Sequence, residues 1–456
     1  MRRVKLLGLP LGALALALLA AAPATAVTPA DGREPFFPHA GNRGYDARSY
    51  AVDLAYKPAR GVLRGEATVQ AVATQGLRRF SLDLGQIGVT RVAVPGHGAS
   101  FGRRPGKLVV RLREPIAKGD AFRVEVRYGG RPRTVIDPDG SSEGWYRTPD
   151  GALAVGEPQG TAAWMPCNNT PADKARFAIA ITVPAALKAV SNGRLTGIDR
   201  RPSGHRTFHW VESAPMATYL AVVAIGRGEL VHTPIAGRPG WTIVDPRLAA
   251  RARKVLSRLP EIIRFESSLF GPYPFDAAGS IVDDAPDLGY ALETQSRPIY
   301  AYVPDLTTVV HETAHQWFGD SVGLERWPDI WLNEGFATWT EWYYAERHGG
   351  RGAAAIFRRL LRVPAANEEF WNPPTGRPGK PAHLFGPSVY VRGAMTLQAL
   401  REKVGTRPML RTLRRWATVN RHGTGDTAQF VALAEQVSDR DLAPFFQRWL
   451  FQRGKP

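Results

Sequence analysis

A chain of 456 residues, 44% hydrophobic and 22% charged, has the composition of an ordinary folded protein of two or three domains, which excludes a disordered, collagen-like or disulfide-stapled one. Its single cysteine, Cys167, rules out an intramolecular disulfide, a cysteine-based zinc ribbon and an iron–sulfur cluster. The formal charge of +18 arises from scattered arginines with no helix-turn-helix, zinc-finger or RNA-recognition signature. No specific nucleic-acid partner is therefore expected, and the charge favours only weak association with anionic cell-envelope polymers.

In chain order, residues 1–26 read as a secretory signal peptide. Arg2, Arg3 and Lys5 precede a short apolar run broken by Pro10, and Ala24-Thr-Ala forms a small-residue cleavage site near Ala26. The mature chain is therefore expected to be secreted or held at the cell envelope, with general-secretory and twin-arginine export both open. No later stretch approaches the ~20 apolar residues of a membrane span. Residues 27–45 read as a Pro/Gly/Ala-rich tether. Over 46–235, short alternating runs recur around 51–55, 65–72, 107–112, 122–128, 177–183 and 219–225, separated by turns such as Ser191-Asn-Gly. These predict an antiparallel β saddle or sandwich, followed by a linker near 233–240. From 236 to 456 the period changes. Strands are expected at 241–245, 279–283 and 290–300. Helices are expected at 247–268, 305–319, 329–347, 351–363, 388–404, 407–420 and 440–452. The fold class is α+β, a β domain preceding a mainly helical one.

The chemistry concentrates at Val310-His-Glu-Thr-Ala-His-Gln-Trp-Phe-Gly. His311 and His315, four apart in an apolar helical run, place two imidazoles on one face about 6 Å apart. They can chelate one Zn2+ per chain, with Glu312 beside them as general base. Asp329 to Glu341 reads as a second helix capped by Asp329. A connection of about ten residues can turn it antiparallel, so that Glu334, nineteen positions after His315, supplies the third ligand. Three protein ligands and an open fourth position define a catalytic site. Glu341, two turns beyond Glu334, is either an acceptor for a ligand histidine or a surface acid. Trp317, Trp331, Trp339 and Trp342 read as core. Cys167 reads as structural, and His348 and His383 as loop histidines.

His311-Glu-Thr-Ala-His with Trp331-Leu-Asn-Glu-Gly resembles the M1 family of zinc aminopeptidases, whose pattern is H-E-x-x-H, eighteen residues, then Glu. Tyr290-Ala-Leu-Glu-Thr is similar to that family's G-x-M-E-N element, with Tyr290, Leu292 and Thr294 departing from it and Glu293 retained. Glu157-Pro, followed by Pro166-Cys-Asn-Asn-Thr-Pro, resembles the family's second amine-binding residue and its P-C-x-D-x-P element, with Asn169 in place of Asp. Val389-Tyr-Val-Arg-Gly-Ala resembles the segment bearing its catalytic tyrosine, which nominates Tyr390. The resemblance implies a β saddle followed by a thermolysin-like helical peptidase domain. It also implies substrate peptides with a free N-terminus, whose ammonium group would be gripped by Glu157 and Glu293, and an oxyanion donor at Tyr390. One branch of that family couples epoxide hydrolysis to the same zinc site, and no residue here singles that activity out. Two other readings carry less. Gly140-Ser-Ser-Glu-Gly formally matches a nucleophile elbow at Ser142, but Asp137-Pro-Asp before it is a turn and not a strand. A non-catalytic, polyanion-binding module has no physical need to keep metal ligands and base together.

Overall fold

The computed structural model describes residues 34–456. The expected signal peptide and the first part of the expected tether lie outside them. The remainder of that tether is no free linker. Glu34 is buried and accepts the Trp327 backbone N–H at 3.1 Å, and Phe37 packs edge-on against the Trp327 ring. Its apolar and acidic side chains find partners on the second domain that composition alone does not reveal.

The first domain opens with β1 (Tyr45–Lys57), β2 (Val62–Ala73), β3 (Leu77–Asp83), β4 (Gly88–Ala93), β5 (Ala99–Arg104), β6 (Lys107–Ile116) and β7 (Ala121–Gly130). It continues with β8 (Thr134–Ile136), β9 (Ser142–Tyr146), β10 (Ala152–Val155), β11 (Lys174–Pro184), β12 (Lys188–Ser191), β13 (Arg194–Arg201), β14 (His205–Ala217) and β15 (Val223–Gly226). Strict alternation makes these strands: Tyr50, Val52, Leu54 and Tyr56 of β1 are buried while Ala51 and Asp53 face solvent. Each such buried side chain contributes about 1.5–3 kcal/mol relative to exposure. A seven-stranded sheet has the order β13-β14-β11-β1-β2-β7-β4 and a three-stranded one β3-β6-β5. A five-stranded sheet, β12-β15-β10-β9-β8, carries Glu157 just past β10. The pattern is antiparallel except for β1 and β11, which pair in parallel.

The sheet of the second domain begins earlier than the expected linker. β16 (Glu229–His232) and β17 (Gly240–Val244) form a hairpin through the stretch expected to be open chain. With β18 (Ala278–Val282), β19 (Ala291–Leu292) and β20 (Ile299–Tyr300) they make a sheet of order β16-β17-β18-β20-β19. The run 290–300, expected as one strand, is two short strands around a turn in which Ser296 adopts φ +63°.

Helices follow: α1 (Ala249–Leu256), α2 (Leu259–Phe270), α3 (Leu306–Ala314), α4 (Trp331–Arg347), α5 (Ala353–Leu360), α6 (Glu368–Trp371), α7 (Pro387–Val404), α8 (Thr406–Val419), α9 (Thr427–Ser438) and α10 (Ala443–Phe446). Residues 247–268 are therefore two helices, and 440–452 is one short turn of α10 continued by a π-turn. Sequence reading missed α9 although its start carries a capping box, Asp426 accepting from Gln429 N while the Gln429 side chain reaches back to Asp426 N. Asp329 does not cap α4. It lies in a 3-10 turn (Trp327–Asp329) and accepts from Thr427 Oγ1 at 2.6 Å, tying the entry of α4 to α9. No described helix is long and apolar enough to cross a membrane.

Candidate metal centre and active site

Asp305 starts α3 by accepting the Thr308 N–H at 2.8 Å, which sets the helix phase so that His311, Glu312 and His315 point toward α4. The helix ends at Ala314, five residues sooner than the expected 305–319, and Gly319, at φ +134°, turns the chain away. A side chain on Gly319 would press on Asn333 and on His315 Nδ1. The two imidazole centroids stand 4.7 Å apart, nearly edge to face.

Each imidazole is oriented from behind. His311 Nδ1 donates to Glu341 Oε1 at 2.5 Å, and His315 Nδ1 donates to the Phe318 carbonyl at 3.0 Å. Both Nε2 lone pairs are thereby turned inward. Of the two possibilities for Glu341, the acceptor role is the one realised. α4 returns antiparallel and brings Glu334 Oε2 to 3.3 Å from His311 Nε2 and 3.4 Å from His315 Nε2. A tetrahedral zinc with bonds of about 2.0–2.1 Å requires ligand atoms about 3.3 Å apart. Both nitrogen-to-oxygen separations have that spacing, and donor atoms of the three residues all lie within 4.8 Å of one another.

The charge balance agrees. Burial alone would raise Glu334, yet the two imidazoles hold it down to about 2. Burial disfavours charge on His315, but Glu293 and Glu334 outweigh it and push its pKa up to about 9. Burial, then Glu293 and Glu334, raise Glu312 to about 8, against the pull of both histidines. Four carboxylates, Glu157, Glu293, Glu312 and Glu334, thus surround a space that demands positive charge. The residues fit a divalent cation with two nitrogen donors and one oxygen donor.

Glu293 and Glu157 arrive from different domains, and their carboxylate oxygens lie within 4.8 Å of each other and of Glu334. Glu157 Oε1 and Glu293 Oε1 are buried without a hydrogen-bond partner, aimed at the same space. Tyr390 lies on α7, its ring stacked on His311 with centroids 5.9 Å apart and planes at 13°. Burial, then Glu334 and Glu157, raise its hydroxyl well above the usual phenol range, so it stays a neutral donor.

Tyr390 reaches this position because α4 and α7 cross at two glycines. A Cβ on Gly393 would lie 2.9 Å from Gly335 Cα, and Gly335 directly follows Glu334. All seven expected site residues are thus brought together by α3, α4, α7, β19 and the turn after β10. Ser142 is remote from any such role: it begins β9, and its carbonyl accepts from Tyr290 Oη at 2.7 Å. The four tryptophans are buried core. Cys167 is buried and free. His348 caps α4 and stacks on Tyr344, and His383 donates to Pro378 O.

The chain is similar to known proteins. The model of the "Peptidase M1 N-terminal domain" covers residues 46–220, and that of the "Peptidase family M1 domain" covers 303–449. The chain belongs to peptidase family M1. An M1 zinc metallopeptidase from Deinococcus radiodurans superposes with TM-score 0.85 at 29% identity, over 93% of this chain and 97% of that one. A substituted form of it bound to Tyr-Ser-Ala aligns equally well at 28% identity, over 93% and 98% of the two chains. Bovine glutamyl aminopeptidase is 25% identical over 89% of this chain and 46% of its own length. Aminopeptidase M1-D of Oryza sativa is 23% identical over 90% and 50%. The chain spans half or less of the curated relatives' length. One catalytic zinc per chain follows from the family, and His311, His315 and Glu334 are the residues whose donor atoms would hold it.

Residues between the domains had no sequence signal. Lys174 Nζ donates to the carbonyls of Asp320 (2.7 Å), Ser321 (2.9 Å) and Gly423 (3.1 Å). Arg297, wholly buried, donates to Trp241 O, Ser191 O and Gly193 O, while Asn192 Nδ2 donates to Gln295 O at 2.8 Å. These bonds clasp the Ser191-Asn-Gly turn to the segment just after Glu293. Only the three-dimensional arrangement makes a scattered Lys or Arg an interdomain tie.

Proposed function

We propose that this chain is a zinc aminopeptidase that removes residues from the free N-terminus of peptides. The observation that carries this reading is the convergence of Glu157 and Glu293, each with a buried unpartnered oxygen, beside the His311–His315–Glu334 triad. Two carboxylates around one ammonium group fix the substrate's first residue next to the metal and set the register of cleavage. When bound, zinc supplies Lewis acidity, polarising the scissile carbonyl and bringing the pKa of water to about 7. Glu312 takes a proton from the attacking water on a carboxylate oxygen and passes it to the departing amine nitrogen. The Tyr390 hydroxyl donates to the carbonyl oxygen as negative charge grows there.

The test compares aminoacyl-arylamides with their N-acetylated forms. Hydrolysis of the free amine, lost on chelation and restored by zinc, supports the reading; equal rates on both substrates refute the aminopeptidase assignment. The pattern of residues 1–26 supports export to the cell envelope or beyond, tested by N-terminal sequencing of the mature protein. The excess of arginine, including Arg407, Arg411 and Arg415 exposed on α8, supports weak retention by anionic envelope polymers, tested by salt-dependent cosedimentation with cell walls.

A further inference from the structure

The two carboxylates expected to hold the α-ammonium group sit on separate domains, so their spacing depends on what joins the domains at that point. One path of hydrogen bonds runs between them. Tyr290, three residues before Glu293, donates from Oη to the carbonyl of Ser142 in β9 at 2.7 Å. The next residue, Glu143, is fully buried, and its two carboxylate oxygens lie 3.0 and 2.9 Å from the backbone N–H of Gln159. Gln159 is two residues after Glu157. The turn it belongs to has no slack. A Cβ on Gly160 would meet Gly144 N, Val155 O and Glu143 Oε2, and one on Gly156 would meet Thr161 Oγ1 and Tyr219 O. Asp137, buried beside Glu143, has both carboxylate oxygens without a donor. Burial raises it to about 6, and burial together with the neighbouring Asp137 pushes Glu143 well above the usual carboxylate range. Tyr290 stands where the M1 pattern has glycine.

We propose that Tyr290 and Glu143 are positioning residues forming a strut, Glu293 to Tyr290 to Ser142 to Glu143 to Gln159 to Glu157, that sets the gap of the ammonium clamp and so the preference for a free N-terminus. The proposal rests on the aminopeptidase reading above. Neither residue touches the reacting atoms; each acts through the carboxylate at its end of the path. Because the ammonium contact is made alike in bound substrate and transition state, loosening the clamp raises KM and leaves kcat nearly unchanged.

The experiment measures kcat, KM, bound zinc and Tm for wild type, Tyr290→Phe, Glu143→Ala, Glu143→Gln and the double variant Y290F/E143A, on free and N-acetylated aminoacyl-arylamides. Tyr290→Phe keeps the ring and loses only the hydroxyl, so it tests the path even if Glu143→Ala fails to fold. The expected result is a KM raised about five- to tenfold on the free substrate, with kcat within twofold and zinc at one per chain. Discrimination against the acetylated substrate should shrink by the same factor. Glu143→Gln, which keeps an acceptor for Gln159, should restore most of the loss. The double variant should be little worse than Glu143→Ala, since both cut one path. A Tyr290→Phe enzyme with wild-type KM and discrimination overturns the strut, as does a loss confined to kcat or accompanied by loss of zinc. Wild-type enzyme that cleaves both substrates equally is a different failure: it removes the aminopeptidase reading, and the strut with it.

Discussion

The crossing of α4 and α7 makes a sharp prediction. Gly335 and Gly393 are in contact across it, so a methyl group on Gly393 would stand 2.9 Å from Gly335 Cα, 3.6 Å from Gly335 N and 3.7 Å from Trp331 Cβ. Ordinary contact begins at 3.4 Å, so Gly393→Ala must open the crossing by at least half an ångström. Neither helix yields easily. Arg392 donates to five carbonyls, those of Trp371, Arg448, Trp449, Gln452 and Gly454, and Trp339 Nε1 donates to Gln398 across the pair. Overpacking of this kind costs about 1–3 kcal/mol, offset by about 1 kcal/mol of improved helix propensity. A net loss of about 0–2 kcal/mol is expected. The larger effect falls on catalysis, because Tyr390 is one turn before Gly393 and moves with it. If a 1 Å misplacement costs about a hundredfold, half that shift lowers kcat by about tenfold. Steady-state kinetics on an aminoacyl-arylamide, bound zinc and Tm together read the outcome. The expected pattern is lower kcat with KM and zinc retained. A variant with wild-type kcat and a higher Tm would refute the argument, since it would show that the helices have room to spare.

Three further outcomes follow from the same geometry. Tyr390→Phe should lower kcat by about a hundredfold or more with KM little changed, because a lost oxyanion donor costs roughly 3–4 kcal/mol of barrier; a drop of under fivefold removes Tyr390 from that role. Glu341→Ala frees the His311 ring and should weaken zinc retention by about 10–100-fold in competition with a chelator; unchanged retention would show that the 2.5 Å contact does not orient the ligand. Stability should fall as pH rises from about 5 to 8. Burial raises Glu212 and Asp283, the latter helped by Asp150 and Asp245, to about 7 each. The folded state therefore keeps protons that the unfolded chain releases from about pH 4 upward, so this stabilisation is full below about pH 4 and is lost progressively as pH rises through about 7. For Glu212 the difference amounts to about 3 kcal/mol. Thermal melts of wild type and Glu212→Gln across that range check it: the variant's Tm should be flatter with pH, and parallel curves would count against the buried acid.

Much of the active site is local in sequence. His311 and His315 at i and i+4, with Glu312 between them, require only a helix to share a face, and Asp305 caps that helix as a short-range interaction. Alternation likewise made β1, β2, β7 and β11 legible, because burial of every second residue is written into the strand itself. The errors fell where a distant partner decided. Asp329 has the look of a cap but is claimed by Thr427. Residues 34–44 have a linker's composition, yet Glu34 and Phe37 are held by Trp327. Glu341 could have faced either way until α3 placed His311 against it.

What the residue order determined unaided was the pair of imidazoles on one helix face, the carboxylate between them and the succession of a β domain and a helical one, since spacing and periodicity act within a few turns of chain. The tertiary structure alone decided how the segments bearing Glu157 and Glu293 are joined across the domains, through the bonds of Tyr290, Glu143, Lys174 and Arg297, and how closely α7, which carries Tyr390, approaches α4, through Gly335 against Gly393. Those distances are set where two domains and two helices meet, and contacts between residues far apart in the chain leave no period in it.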